Sequence, residues 1–255
     1  MIVIFDVDGV LIDVSKSYHL SIKDTVDFFT KRDVPLEQLR DIKFSFGINN
    51  DWDVSVAGIL YANSQLTLEQ FKEDFKKYAS TLEQMYQYAK ENNLNLPKYK
   101  ELVDYFENSY RKHRLKEEMI FPHEALERIR EKADITGVIT GRPYEDLDFS
   151  FRHFDLYKYF DLVITEDDIP KPHLRKPSAY PLKLFFEKFQ YTEPVFYIGD
   201  TISDKQMVEN FNKEEQKNVQ FILNQNEHNK DIDTKIIIKE PDDLCDVLNS
   251  YNYSL

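Results

Sequence analysis

Hydrophobic residues along this chain fall into two alternating patterns. A short, wholly apolar run occurs at Ile2–Phe5, and similar, largely apolar runs at Ile135–Thr140, Leu162–Thr165, Val195–Ile198 and Val219–Leu223, with a weaker one at Lys235–Lys239. Apolar runs without in/out alternation predict strands of a parallel sheet buried on both faces. Between the later runs, Pro122–Lys132, Tyr144–His153, Tyr180–Phe189 and Thr201–Phe211 have helical spacing. Strands alternating with helices of this length predict an α/β fold with a Rossmann-like parallel sheet.

The stretch from Ser15 to Leu115 breaks that rhythm. It offers no strand, and its apolar residues recur at helical spacing. Examples are Tyr18, Ile22, Val26 and Phe29, and again Phe71, Phe75, Tyr78, Leu82 and Tyr86. The second stripe predicts a long helix beginning near Leu68, capped by Ser64 or Thr67, with Glu69 in its first turn. Asn93–Pro97 reads as a break. The predicted organisation is an α/β core made of residues 1–14 and 116–255, with an all-helical domain, 15–115, inserted after the first strand.

Composition narrows the function. The chain has 255 residues, with 33 Lys and Arg against 46 Asp and Glu, a net charge of −13. A surface this acidic argues against generic binding to nucleic acid or anionic lipid, which needs a basic face. Cys245 is the single cysteine, so neither an internal disulfide nor a cysteine-rich zinc site is available. No stretch approaches the ~20 apolar residues of a membrane helix. The opening Met-Ile-Val-Ile-Phe-Asp lacks the basic n-region of a signal peptide, so a cytoplasmic location is expected. With 6 Gly and no Gly-x-Gly-x-x-Gly after a strand, a nicotinamide dehydrogenase is discarded.

The polar residues at the strand ends carry the candidate chemistry. Asp6 and Asp8 sit where the first run stops, in Asp6-Val7-Asp8-Gly9. In open parallel sheets, chemistry gathers outside the carboxyl ends of strands. Two carboxylates so close repel when ionised, and a divalent cation or a proton on one of them relieves the strain. The pair therefore fits a metal-assisted nucleophile with an acid/base partner, or simply a polar turn. Thr140-Gly141-Arg142 ends a second strand. The Thr140 hydroxyl and the N–H groups after it could bind a phosphate oxygen, or Thr140 could cap a helix. Arg142 could grip a phosphate through two N–H groups or pair with an acid such as Asp146. Asp200 ends a third strand in Gly199-Asp200-Thr201-Ile202-Ser203-Asp204, where Asp200 and Asp204 are metal-ligand candidates or ordinary helix-start residues. Lys176, in Arg175-Lys176-Pro177-Ser178, could place a cation beside them. Lys171-Pro172-His173 offers the same dipeptide, and the residues alone leave the choice open.

The order Asp-x-Asp, Thr, Lys, Gly-Asp-x-x-x-Asp resembles the four motifs of the haloacid dehalogenase superfamily, here Asp6/Asp8, Thr140, Lys176-Pro177 and Gly199 to Asp204. The usual Lys-Pro-x-Pro is incomplete, because Ala179 stands at the second proline. The resemblance spans the whole chain, since the helical insertion occupies the slot of the family's cap domain. The helical-capped, phosphoglycolate phosphatase-like branch is the most similar. The resemblance implies a Mg²⁺-dependent phosphatase acting on a small phosphorylated metabolite through an aspartyl-phosphate. Asp6 would be the nucleophile, Asp8 the acid/base, and Thr140, Gly141, Arg142 and Lys176 the phosphate contacts. Asp6, Asp8, Asp200 and Asp204 would be the metal site. Asp at position 8 favours phosphate esters over organic halides. A phosphomutase would use the same residues. A receiver-like phosphate-binding module also combines Asp, Thr and Lys, but its acidic pair comes first and it lacks the insertion. The resemblance leaves monomer or homodimer open. In the insertion, Phe44–Trp52 holds the only tryptophan and two adjacent amides. Asn49, Asn50 and Trp52 are candidate substrate contacts, or Trp52 anchors a helix–helix turn.

Overall fold

The computed structural model describes residues 1–48 and 50–252. In chain order it runs β1 (Ile2–Phe5), β2 (Ile12–Asp13), α1 (Tyr18–Thr30), α2 (Leu36–Phe46), α3 (Asp51–Ser64), α4 (Leu68–Phe75), α5 (Leu82–Glu91) and α6 (Tyr99–His113). There follow β3 (Glu118–Met119), α7 (His123–Lys132), β4 (Ile135–Ile139), α8 (Tyr144–His153), β5 (Leu162–Ile164) and α9 (Tyr180–Phe186). The chain closes with β6 (Val195–Gly199), α10 (Ile202–Glu215), β7 (Val219–Asn224), β8 (Ile236–Ile238) and α11 (Pro241–Asn252). Two compact units emerge: Met1–Asp13 with Glu118 onward, and Val14–Glu117.

In the first unit, six strands form one parallel sheet in the order β5-β4-β1-β6-β7-β8. The apolar runs read from the sequence are these strands. Complete burial of Ile2–Phe5 on both faces explains why the run has no polar alternation. Phe5 pairs with Val138 of β4 on one side and Ile198 of β6 on the other. Its ring meets Phe121 and Phe160 edge-on, at 5.7 and 5.9 Å between centroids. Ile4 belongs to the opposite-face cluster with Leu182, Phe185, Tyr197 and Met207. The strand order reverses at β1, which places the ends of β4, β1 and β6 side by side. β2 and β3 form a separate two-residue antiparallel ribbon, Ile12 opposite Met119 and Asp13 opposite Glu118.

The second unit is helical. α3 is buried nearly all round, through Val54, Val56, Ala57, Ile59 and Leu60, and the other five helices pack around it. Gly58 permits this: a Cβ there would lie 2.7 Å from Val26 of α1 and 2.8 Å from Leu39 of α2. Thr67 caps α4, accepting from the Gln70 N–H while Gln70 accepts from the Thr67 N–H. The long helix expected from Leu68 onward is, however, broken. α4 stops at Phe75, a 3₁₀ turn covers Lys76–Tyr78, and Thr81 caps a new helix by accepting from the Gln84 N–H at 3.3 Å. The turn folds the aromatic stripe back on itself: Phe75 and Tyr78 both meet Tyr88 at 5.1 Å, and the Tyr88 hydroxyl donates to Asp74 at 2.9 Å. No described helix is long and apolar enough to cross a membrane.

Candidate active site

Asp6 continues β1 by donating its N–H to the Ile198 carbonyl at 2.8 Å, and its side chain is buried. Val7 is sealed in the core, so Asp6 and Asp8 flank an inward residue as the strand spacing implies. The chain then turns at Gly9, whose φ is +74°. A Cβ on Gly9 would sit 2.2 Å from Asp200 Oδ2. Glycine is thus required twice, by the backbone angle and by the approach of Asp200.

Asp200 follows β6, and Thr201 caps α10 in a reciprocal arrangement with Asp204. One Asp204 oxygen accepts from the Thr201 N–H and hydroxyl. The other accepts from Lys176 Nζ at 2.8 Å and the Tyr197 hydroxyl at 3.0 Å. Lys176 Nζ also donates to Asp6 Oδ1 at 2.8 Å. The Lys176 side chain is only 5% exposed, so this ammonium is committed to the site. Burial disfavours its charge, but Asp204 and Asp6 outweigh burial and hold its pKa above the usual lysine value. Burial pushes Asp6 up to about 7, against the opposing pull of Lys176 and with help from Asp204 and Asp8. Lys171 is exposed at the edge of a 3₁₀ turn.

Thr140 follows β4. Its N–H is used by the Ile164 carbonyl at 3.0 Å, and its hydroxyl oxygen accepts from the Arg142 N–H at 3.1 Å. Gly141 is exposed beside it. Arg142 is 1% exposed; its Nε donates to Asp8 Oδ1 and its Nη1 to Ser150 Oγ at 2.8 Å.

The structure adds residues that the sequence reading missed. Tyr197 read as one more apolar strand residue, yet its hydroxyl helps hold Asp204. Beyond β7, Asn229 Nδ2 donates to the Asp200 carbonyl at 2.8 Å and Asn226 Nδ2 to Asp200 Oδ2 at 3.4 Å. Asn224 Nδ2 donates to the Gly9 carbonyl at 2.8 Å. Their signal was position: they end or follow β7, the strand next to β6, at the same carboxyl edge.

The tentative substrate contacts belong to the helical unit. Asn49 lies outside the described residues. The Asn50 side chain caps α3, accepting from the N–H groups of Trp52 and Asp53, and Trp52 Nε1 donates to Glu107 at 2.8 Å.

Oxygens of Asp6, Asp200 and Asp204 all lie within 4.8 Å of one another. An all-carboxylate donor set suits a hard, oxygen-seeking cation such as Mg²⁺. Charge agrees: counted as ionised, Asp6, Asp8, Asp200 and Asp204 outnumber Lys176 and Arg142 by two negative charges. The residues present therefore fit a divalent ion.

The fold and the strand-end groups define a Rossmann-like α/β core. A model of the haloacid dehalogenase-like hydrolase family matches residues 47–214, more than half of the chain, and the chain belongs to that family. The matched span contains Thr140, Lys176, Asp200 and Asp204; Asp6 and Asp8 precede it. No curated protein matches the sequence. Among solved structures, Phosphatase Tt82 from Thermococcus thioreducens is similar at TM-score 0.67 and 22% identity, over 98% of this chain and 99% of that one. A predicted phosphoglycolate phosphatase from Haemophilus somnus gives TM-score 0.68 and 16% identity over 96% of each chain. A protein described as a HAD-hydrolase, YfnB from Bacillus subtilis, in a structure bound to magnesium, gives TM-score 0.59 and 12% identity over 97% and 98%. At these identities the likeness is one of fold.

Proposed function

We propose that this hydrolase is a Mg²⁺-dependent phosphatase that cleaves a small phosphorylated metabolite through an aspartyl-phosphate on Asp6. The observation that carries the reading is the buried Lys176 ammonium shared by Asp6 and Asp204, with Asp200 beside them. A turn or an ordinary surface pair would not bury a lysine between two carboxylates at the end of a parallel sheet. The phosphatase named among the similar folds and the magnesium named in another agree with it.

In this mechanism an Asp6 oxygen attacks phosphorus and the ester P–O bond breaks. The leaving oxygen takes a proton from Asp8. Asp8 then accepts a proton from the water that attacks the aspartyl-phosphate, releasing phosphate and restoring Asp6. Lys176 and the Thr140 hydroxyl bind the phosphoryl oxygens, and Lys176 offsets repulsion between Asp6 and the anionic substrate. Asp6, the Asp8 main-chain carbonyl and Asp200 would hold Mg²⁺, which supplies charge neutralisation to the phosphoryl group. Asp204 already accepts from Lys176, Tyr197 and Thr201, so its part is to fix Lys176. The helical unit is assigned the role of cap and, with it, substrate selection.

The test is a phosphate-release screen over small phosphorylated metabolites with Mg²⁺, repeated with EDTA and with Asp6→Asn. The expected result is free phosphate, not a rearranged isomer, abolished by either change. Unchanged release in Asp6→Asn would remove the nucleophile and the proposal.

A further inference from the structure

Arg142 has the largest fully buried side chain among the described residues. It is sealed at 1% exposure, whereas its partner Asp8 keeps 31% of its side chain exposed. An incoming phosphate can therefore reach Asp8 but meets the Arg142 guanidinium already enclosed. The arginine is fixed along its length. Its N–H donates to Thr140 Oγ1, its carbonyl accepts from the Glu166 N–H at 2.9 Å, Nη1 donates to Ser150 Oγ, and Nε donates to Asp8 Oδ1. A rigid, planar donor so anchored sets the direction of the carboxylate it holds.

We infer that Arg142 is a positioning residue for Asp8, not a phosphate contact. A group that passes one proton to the leaving oxygen and takes another from water must present its carboxylate at one place in both steps. Arg142 provides that from behind, and Ser150 braces Arg142. The same residue ties the Thr140 turn after β4 to the Asp8 turn after β1.

This inference rests on reading Asp8 as the proton-transfer group. The experiment compares Arg142→Met, Arg142→Lys and Ser150→Ala with wild type in Mg²⁺, each alone and the first also in an Asp8→Asn background. It follows kcat, KM and inhibition by inorganic phosphate. In Arg142→Met, kcat is expected to fall at least about tenfold, part of what acid–base catalysis contributes, with phosphate inhibition changed less than about twofold. Arg142→Lys should recover part of kcat, and Ser150→Ala should lower kcat mildly with phosphate inhibition unchanged. In Asp8→Asn, removing Arg142 should cost nothing further, since the two act as a unit. If Arg142→Met does not fold, Arg142→Lys and Ser150→Ala decide by the same split between kcat and phosphate inhibition. The inference is overturned if phosphate inhibition weakens in step with kcat/KM, or if Arg142→Met costs as much in Asp8→Asn as in wild type. Full activity in Asp8→Asn alone would instead remove the role given to Asp8, and the inference with it.

Discussion

Lys176 and Asp6 stand 170 residues apart in the chain and 2.8 Å apart in the fold. The lysine is shared with Asp204, and all three groups are buried. Removing it leaves two carboxylates facing each other out of water. Breaking a buried pair from one side costs roughly 3–5 kcal/mol. Lys176→Met is therefore expected to lose stability of that order in urea unfolding, along with activity. A change under about 1 kcal/mol, the ordinary worth of an exposed pair, would mean that the site does not depend on this ammonium.

Asp6 gives stability a pH dependence in the absence of metal. Its carboxyl is raised to about 7, first by burial. A raised pKa favours folding while the group is protonated. That contribution is complete below the unfolded value of about 4 and is lost as pH climbs towards 7. In EDTA, wild type should lose stability relative to Asp6→Asn across that window, and added Mg²⁺, which favours the ionised carboxylate, should narrow the gap. Parallel urea midpoints for the two proteins across the window would contradict this.

Metal binding can be read without turnover. Mg²⁺ at about a hundred times its dissociation constant stabilises a protein by about 2.7 kcal/mol. A rise in melting temperature with Mg²⁺ is expected for wild type and should largely vanish in Asp200→Asn. An equal rise in both would place the ion elsewhere.

In the helical unit, Thr81 marks the start of α5. Thr81→Ala should cost about 1 kcal/mol, as loss of a helix cap does. In an uninterrupted helix through this point, alanine would instead be neutral or stabilising, so a urea midpoint separates the two cases.

That broken helix shows where the sequence was silent. Phe71, Phe75 and Tyr78 gather around Tyr88 from the next helix, while Leu82 and Tyr86, which continue the spacing, are only half-buried and α5 buries Met85, Tyr88 and Ala89 instead. Up to the turn the periodicity reports burial; beyond it the buried face of the new helix falls on other residues. Thr81 and Gln84, three apart, were the contrary sign. β1 and β6 were legible for the opposite reason: a strand buried on both faces has almost nothing polar to confuse it. Asp6, Thr140 and Asp200 announced themselves as polar residues ending apolar runs. Arg142 could not be resolved from sequence, because several acids lay within its reach and only the sheet order brings Asp8 to it. Tyr197 hid its hydroxyl within an apolar run, and Asn224, Asn226 and Asn229 resembled an ordinary polar loop.

β1 has a consequence for how the molecule is made. It lies between β4 and β6, so it finds its neighbours only after residues 135–139 and 195–199 exist. Until then the nascent chain carries Ile2-Val3-Ile4-Phe5 with both edges open, the kind of segment that chaperones shield. Asp6 is translated 170 residues before Lys176 and cannot meet it until then. The buried cluster of Asp6, Lys176 and Asp204 therefore cannot assemble in a chain that stops short of residue 204.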